Sequence, residues 1–134
     1  MSKIIGFLGR SMSRTLYVRI TKDRMQVRHI ESGREISLDA AQPFTSSRLL
    51  VANFSAAQRL LKRGIGEAAG RFGLAPVIVI HLAEMIDGGL SESDERLFFD
   101  LGYGTGAQYV AVVTDALSDA EVREVTRSRR LLRA

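Results

Sequence analysis

The residues best placed to do chemistry lie in FFDLGYGTGAQYVAVV (98–113), where Asp100, Gly102, Gly104 and Thr105 follow one another in the order of a phosphate-binding loop. An aspartate there would face a metal-bound phosphate, and glycines would let backbone N–H groups approach it. Such a loop needs a strand before its aspartate, here ERLFF (95–99), and a tight turn after it. The flanking residues favour a helix instead. Ser91 is placed to cap a helix with Asp94 at its third position, and Glu92 and Glu95 suit the positive end of the helix dipole. Leu97, Phe98 and Leu101 then share one helical face, and Gly102, Gly104 and Gly106 would end the helix. The helix is the preferred reading. A degenerate nucleotide site on Asp100, Gly102, Gly104 and Thr105, completed by a partner chain, stands as the alternative.

The elements that would position these residues follow from periodicity. Residues 16–20 and 24–30 alternate apolar and polar side chains and read as two strands joined by the short turn TKD. His29 falls on the apolar face of the second, as a structural histidine. A third strand is expected at 34–38, and AQPFTSSR (41–48) has loop composition. Leu50, Phe54, Ala57, Leu61, Ile65 and Phe72 form a helical stripe whose start lies at Ser55 or nearer Asn53. APVIVIHLA (75–83) reads as a central strand buried on both faces, ending at a structural or solvent-facing His81. DGG (87–89) is a turn, AQYVAVVT (107–114) another strand, and Ser118 with Glu121 a capping box for a last helix from about 119. The order βββαβαβα predicts an α/β fold: a mixed five-stranded sheet with three helices, its later strands parallel.

Bulk properties narrow the function. The chain has 134 residues, enough for one core, with 46% hydrophobic and 25% charged residues. It has no cysteine, which excludes thiolate chemistry, and two histidines, too few for a histidine-built metal site. A formal charge of +4 suits an anionic partner. No stretch approaches the ~20 apolar residues of a membrane span, so a cytoplasmic location is expected, peripheral at the inner membrane. Residues 1–14 carry basic and no acidic side chains. Ile4, Ile5, Leu8 and Met12 fall on one side of a helical wheel, with Phe7 in the same apolar block and Lys3 and Arg10 mostly elsewhere. This predicts an amphipathic segment able to contact an anionic membrane through these seven residues, followed by one domain over 15–134.

Three patterns together resemble the bacterial actin homologue MreB, a rod shape-determining family: Asn53-Phe54 opening a helix before a strand, Ser91 to Asp94 opening the next helix, and Gly106-Ala107 to Val110 leading into a strand. The similarity runs over roughly residues 14–125. It implies the ribonuclease-H-like fold of actin-like ATPases, limited to the half called subdomain IA. MreB opens its first strand with Asp-x-Gly-Thr, which supports phosphates and magnesium. Aligned on LYVRITKDR, Arg19 stands at the Asp position and Thr21 at the Gly position. A guanidinium cannot hold magnesium, and nuclease chemistry on this fold fails at the same residue. The resemblance therefore implies a non-catalytic, cell-shape-associated interaction module with no cofactor or metal. Its expected partner is a cytoskeletal or cell-shape protein, met through a strand face carrying Tyr17, Arg19, Arg24 and Arg28. An exposed edge leaves homodimerisation open. Nucleic acid is disfavoured, because no aromatic stacking platform accompanies the basic residues.

Overall fold

The structure, a computed structural model, describes residues 14–84 and 90–133, with side chains through Arg127. Leu16, Val18 and Ile20 alternate with polar residues and form β1 (Thr15–Thr21), paired antiparallel with β2 (Arg24–His29). The turn between them places Asp23 at φ 51°, a left-handed conformation that aspartate tolerates. Its carboxylate accepts the backbone N–H groups of Phe44 and Thr45 at 2.8 and 2.7 Å, tying the long connection after β3 (Glu35–Asp39) to the hairpin tip. Asn53 caps α1 (Phe54–Ala69), its side chain accepting from Ala56 N–H.

β4 (Val77–Leu82) is buried along its whole length, as its unbroken apolar run predicts. It pairs parallel with β1 on one edge and with β5 (Tyr109–Val113) on the other, giving the order β3-β2-β1-β4-β5. The crossover is α2 (Glu92–Tyr103), opened by the capping box of Ser91 and Asp94. The last helix, α3 (Asp119–Arg133), opens with the reciprocal bonds of Ser118 and Glu121. The main core lies between the sheet and α1 and α2, around Leu16, Val18, Val27, Leu61, Ile80 and Leu101. A smaller cluster on the opposite face joins Ile30, Val79 and Val122, with Leu117 and Val125 against it.

Two expectations are corrected. Leu50 and Phe72 are not on the α1 stripe: Leu50 precedes the Asn53 cap, the helix ends at Ala69, Gly70 turns the chain at φ 82°, and Phe72 is 90% exposed. Gly102 does not end α2 but sits inside its last turn, where close approach to β5 is its role. A Cβ there would lie 2.7 and 2.8 Å from the two methyl groups of Val110. Gly64 serves likewise in α1, 2.8 Å from a Val27 methyl.

Gly102→Ala therefore tests this packing. Alanine raises helix propensity by about 1 kcal/mol, yet the overpacking against stiff, β-branched Val110 should outweigh it. We expect a net loss of about 1–2 kcal/mol in urea unfolding, recovered in part by Val110→Ala in the same chain.

Candidate functional site

The two faces of the sheet are chemically unlike. The α1–α2 face is apolar. The opposite face presents Tyr17 and Arg19 from β1, Gln26 and Arg28 from β2 and Ser37 from β3, with Val79 and His81 from β4. At its centre a polar row crosses three strands: Arg19 donates to Gln26 Oε1 at 3.3 Å, and Gln26 donates to Ser37 Oγ at 3.4 Å.

α3 covers the rest of this face, and polar anchors seat it. Arg28 grips Asp119 in a two-pronged contact, Nε to Oδ1 at 2.8 Å and Nη2 to Oδ2 at 2.7 Å. The Tyr17 hydroxyl accepts the Leu117 N–H at 2.9 Å and lies 3.0 Å from His81 Nδ1, the two rings stacked 4° from parallel. The hydroxyl serves Leu117 with a lone pair, so its proton is available to a neutral imidazole at Nδ1. Burial first, then the nearby Arg19 guanidinium, push the His81 imidazole below the usual histidine value. The hydrogen bond from Arg28 holds the Asp119 carboxyl below the usual carboxylate range.

The expected interaction face is thus corrected in part. Arg19 and Arg24 are exposed, but Tyr17 and Arg28 are half-buried and engaged under α3. Their types, aromatic and basic, suit a surface as well as a helix seat, so periodicity alone could not separate the two. His81 is buried rather than solvent-facing, stacked on the Tyr17 ring and beside the Thr114 backbone. His29 is buried as expected, beside Ser32 and Glu31.

Asp100, Gly102, Gly104 and Thr105 do not form a strand–turn–strand. Asp100 lies in the last turns of α2, where its carbonyl accepts the Gly104 N–H at 2.9 Å. The Thr105 hydroxyl closes the turn on Gly102 O at 2.6 Å. The Ser91 capping box sets the helix going, and the backbone donors a phosphate would need are spent within it. Among the described residues no three His, Asp or Glu side chains converge as metal ligands. No helix among them is long and apolar enough to cross a membrane. The proposed membrane-contact residues Lys3, Ile4, Ile5, Phe7, Leu8, Arg10 and Met12, and the DGG turn, lie outside the described residues.

A feature that periodicity missed stands at the other end of the sheet, where β1 and β4 begin. Phe72 and Leu74, 90% and 51% exposed, protrude from the connection between α1 and β4. Arg14 braces that connection by donating to Leu74 O and Gly70 O, both at 2.9 Å. The signal in the sequence was Gly70 and Gly73 flanking Phe72, with Leu74 next, which reads equally as a helix end.

These features define a small α/β protein: a mixed five-stranded sheet under two helices on its apolar face and one helix, held by polar contacts, on the other. Among known proteins it is similar to the uncharacterized protein YjaA of Escherichia coli (strain K12), 36% identical over 96 residues that cover 66% of this chain and 74% of that protein. The chain belongs to the YjaA family. No protein-family model matches it.

The α3 seat makes stability pH-dependent. Unfolded histidine titrates near 6.5, and folded His81 titrates lower. Below ~6.5 the unfolded chain therefore binds a proton that the folded chain does not, so stability falls as pH drops through that window. Asp119 adds a further loss below ~4, where its lowered value matters. Urea unfolding at pH 7, 6 and 5 should show the decline, and His81→Gln should flatten it. Tyr17→Phe, which leaves the Leu117 N–H without its acceptor, should cost about 1–2 kcal/mol at pH 7.

Proposed function

We propose that this chain is a non-catalytic, MreB-like interaction module that works at the inner-membrane surface beside a cytoskeletal or cell-shape protein. The observation that carries the reading is the exposed pair Phe72 and Leu74, on a connection that also carries Arg71 and is braced by Arg14. At 90% exposure Phe72 gains little from packing on the described residues. Apolar side chains projecting from a basic rim are what an anionic membrane surface selects, the rings entering the headgroup boundary and the cations meeting the phosphates.

The MreB-like part is supported by the sheet order β3-β2-β1-β4-β5, antiparallel through β1–β2–β3 and parallel through β1–β4–β5. The resemblance to the ribonuclease-H-like half of an actin fold implies that order. The non-catalytic part is supported by Arg19, which hydrogen-bonds across the open sheet face where the family pattern has its metal-supporting aspartate, and by the helical setting of Asp100.

Sedimentation with anionic vesicles tests the membrane part. Phe72→Ser with Leu74→Ser removes two exposed side chains, so the thermal midpoint should hold while partitioning falls roughly tenfold or more, by the apolar area no longer buried in lipid. Unchanged partitioning would refute it. Calorimetry with Mg-ATP should show no micromolar binding, and binding abolished by Asp100→Ala would replace this reading with the nucleotide one. Retention of purified MreB on vesicles coated with the protein tests the partner.

A further inference from the structure

The last turns of α1, the connection through Gly70 to Pro76, Arg14 and Thr105 enclose a depression of about 220 Å³. Its charge is of one sign. Arg14, Lys62 and Arg71 line it, and no carboxylate does so among the described residues. Elsewhere some arginines meet acids, Arg63 with Glu67, Arg28 with Asp119 and Arg24 with Asp39, and others bond to glutamines, Arg19 to Gln26 and Arg59 to Gln42. Lys62 and Arg71 make no ion pair with a described residue.

The backbone brings these cations together. Gly70, at φ 82° and ψ 169°, takes a conformation open essentially to glycine alone. The turn folds Arg71 back along α1, its stem 3.8 Å from where a Cβ on Gly66 would stand. Arg14 is fixed by its bonds to Leu74 O and Gly70 O, which leave the rest of its five N–H donors for another acceptor. Cations that line one depression repel one another, and an anion shared between them offsets that cost.

We propose that this depression binds a phosphate group, as a monoester or diester, with Arg14, Lys62 and Arg71 as its ligands. Guanidinium and ammonium groups around one tetrahedral anion form charge-assisted hydrogen bonds, the strongest available at a surface. Phe72 and Leu74 rise beside the depression, so the headgroup of an anionic phospholipid is the favoured source. That source rests on the membrane reading above; the phosphate site does not.

The test uses the full chain, labelled with ¹⁵N. Inorganic phosphate is titrated at constant ionic strength against chloride, and Lys62→Gln with Arg71→Gln is the variant. Both side chains are exposed, so its remaining amide spectrum should match the parent. Phosphate, and not chloride, should move the amides of Gly66, Gly70, Arg71 and Thr105 in the parent, and the variant should lose the response. Partitioning of the variant to phosphatidylglycerol vesicles should fall roughly thirtyfold, two basic contacts at a charged surface, and neither protein should bind phosphatidylcholine. No phosphate-specific shift in the parent, or an undiminished one in the variant, overturns the site. Shifts with unchanged vesicle binding keep the site and overturn the lipid source. Loss of vesicle binding in the Phe72/Leu74 variant alone, with the Lys62/Arg71 variant unaltered in both assays, overturns the site and leaves the membrane reading standing.

Discussion

β1 is hydrogen-bonded along both edges, and every other element depends on it. Its antiparallel edge holds the β2–β3 meander, and its parallel edge holds β4, through which the crossover helix and β5 attach. Leu16, Val18 and Ile20 on its inner face are wholly buried. Each contributes on the order of 1.5–3 kcal/mol by leaving water. Two helices then settle on that face at distances only glycine permits. Gly64 lets α1 touch Val27 and Leu38, and Gly102 lets α2 touch Val110. The glycines that weaken both helices in isolation shorten the gap between layers. Packing repays a propensity loss of about 1 kcal/mol at each position.

The outer face of β1 follows a different rule. It carries Tyr17 and Arg19 where a two-sided core would carry valines, so polar contacts join the small apolar cluster of Ile30, Val79 and Val122 in seating α3. Val122 is its one fully buried described side chain. Orientation comes from Arg28 on Asp119 and from Tyr17 on the Leu117 N–H. The Arg28–Asp119 pair is 29% and 44% exposed, so solvent screens it, and its worth is about 1 kcal/mol or less despite good geometry.

Order and type of the elements were legible because each left an unambiguous local mark. β4 opens on four consecutive β-branched residues, β1 and β2 alternate strictly, and three helices carry side-chain caps at Asn53, Ser91 and Ser118. The site residues were less legible, for reasons of geometry. Arg28 and Tyr17 have surface chemistry, and only the placement of Asp119 against Arg28 and of Leu117 against Tyr17, far along the chain, turns them inward. Phe72 continued a helical period that Gly70 interrupts. Gly102 carried two readings, helix end or close contact, and the deciding atom belongs to Val110 on another element. Local pattern reports what a residue prefers; these positions were decided by what faces them.

That distinction bears on where a ligand belongs. Open α/β sheets place ligands beyond the carboxyl ends of their strands, and a reading from fold class alone would look there. In this chain that end is electrically mixed. Glu84 accepts the Lys22 N–H, Asp115 follows β5, and the Asp23 carboxylate is spent on Phe44 and Thr45. The amino ends of β1 and β4 gather Arg14, Lys62 and Arg71 with no opposing acid among the described lining residues. Two unit charges at 4 Å interact by about 1 kcal/mol in water and about 4 kcal/mol at the effective dielectric of a protein surface. Reversing the sign of a few side chains can therefore outweigh the positional habit of a fold. Among the described residues, an anion meets a uniformly basic lining at the end that the fold class ordinarily leaves idle, the end at which Phe72 and Leu74 also stand.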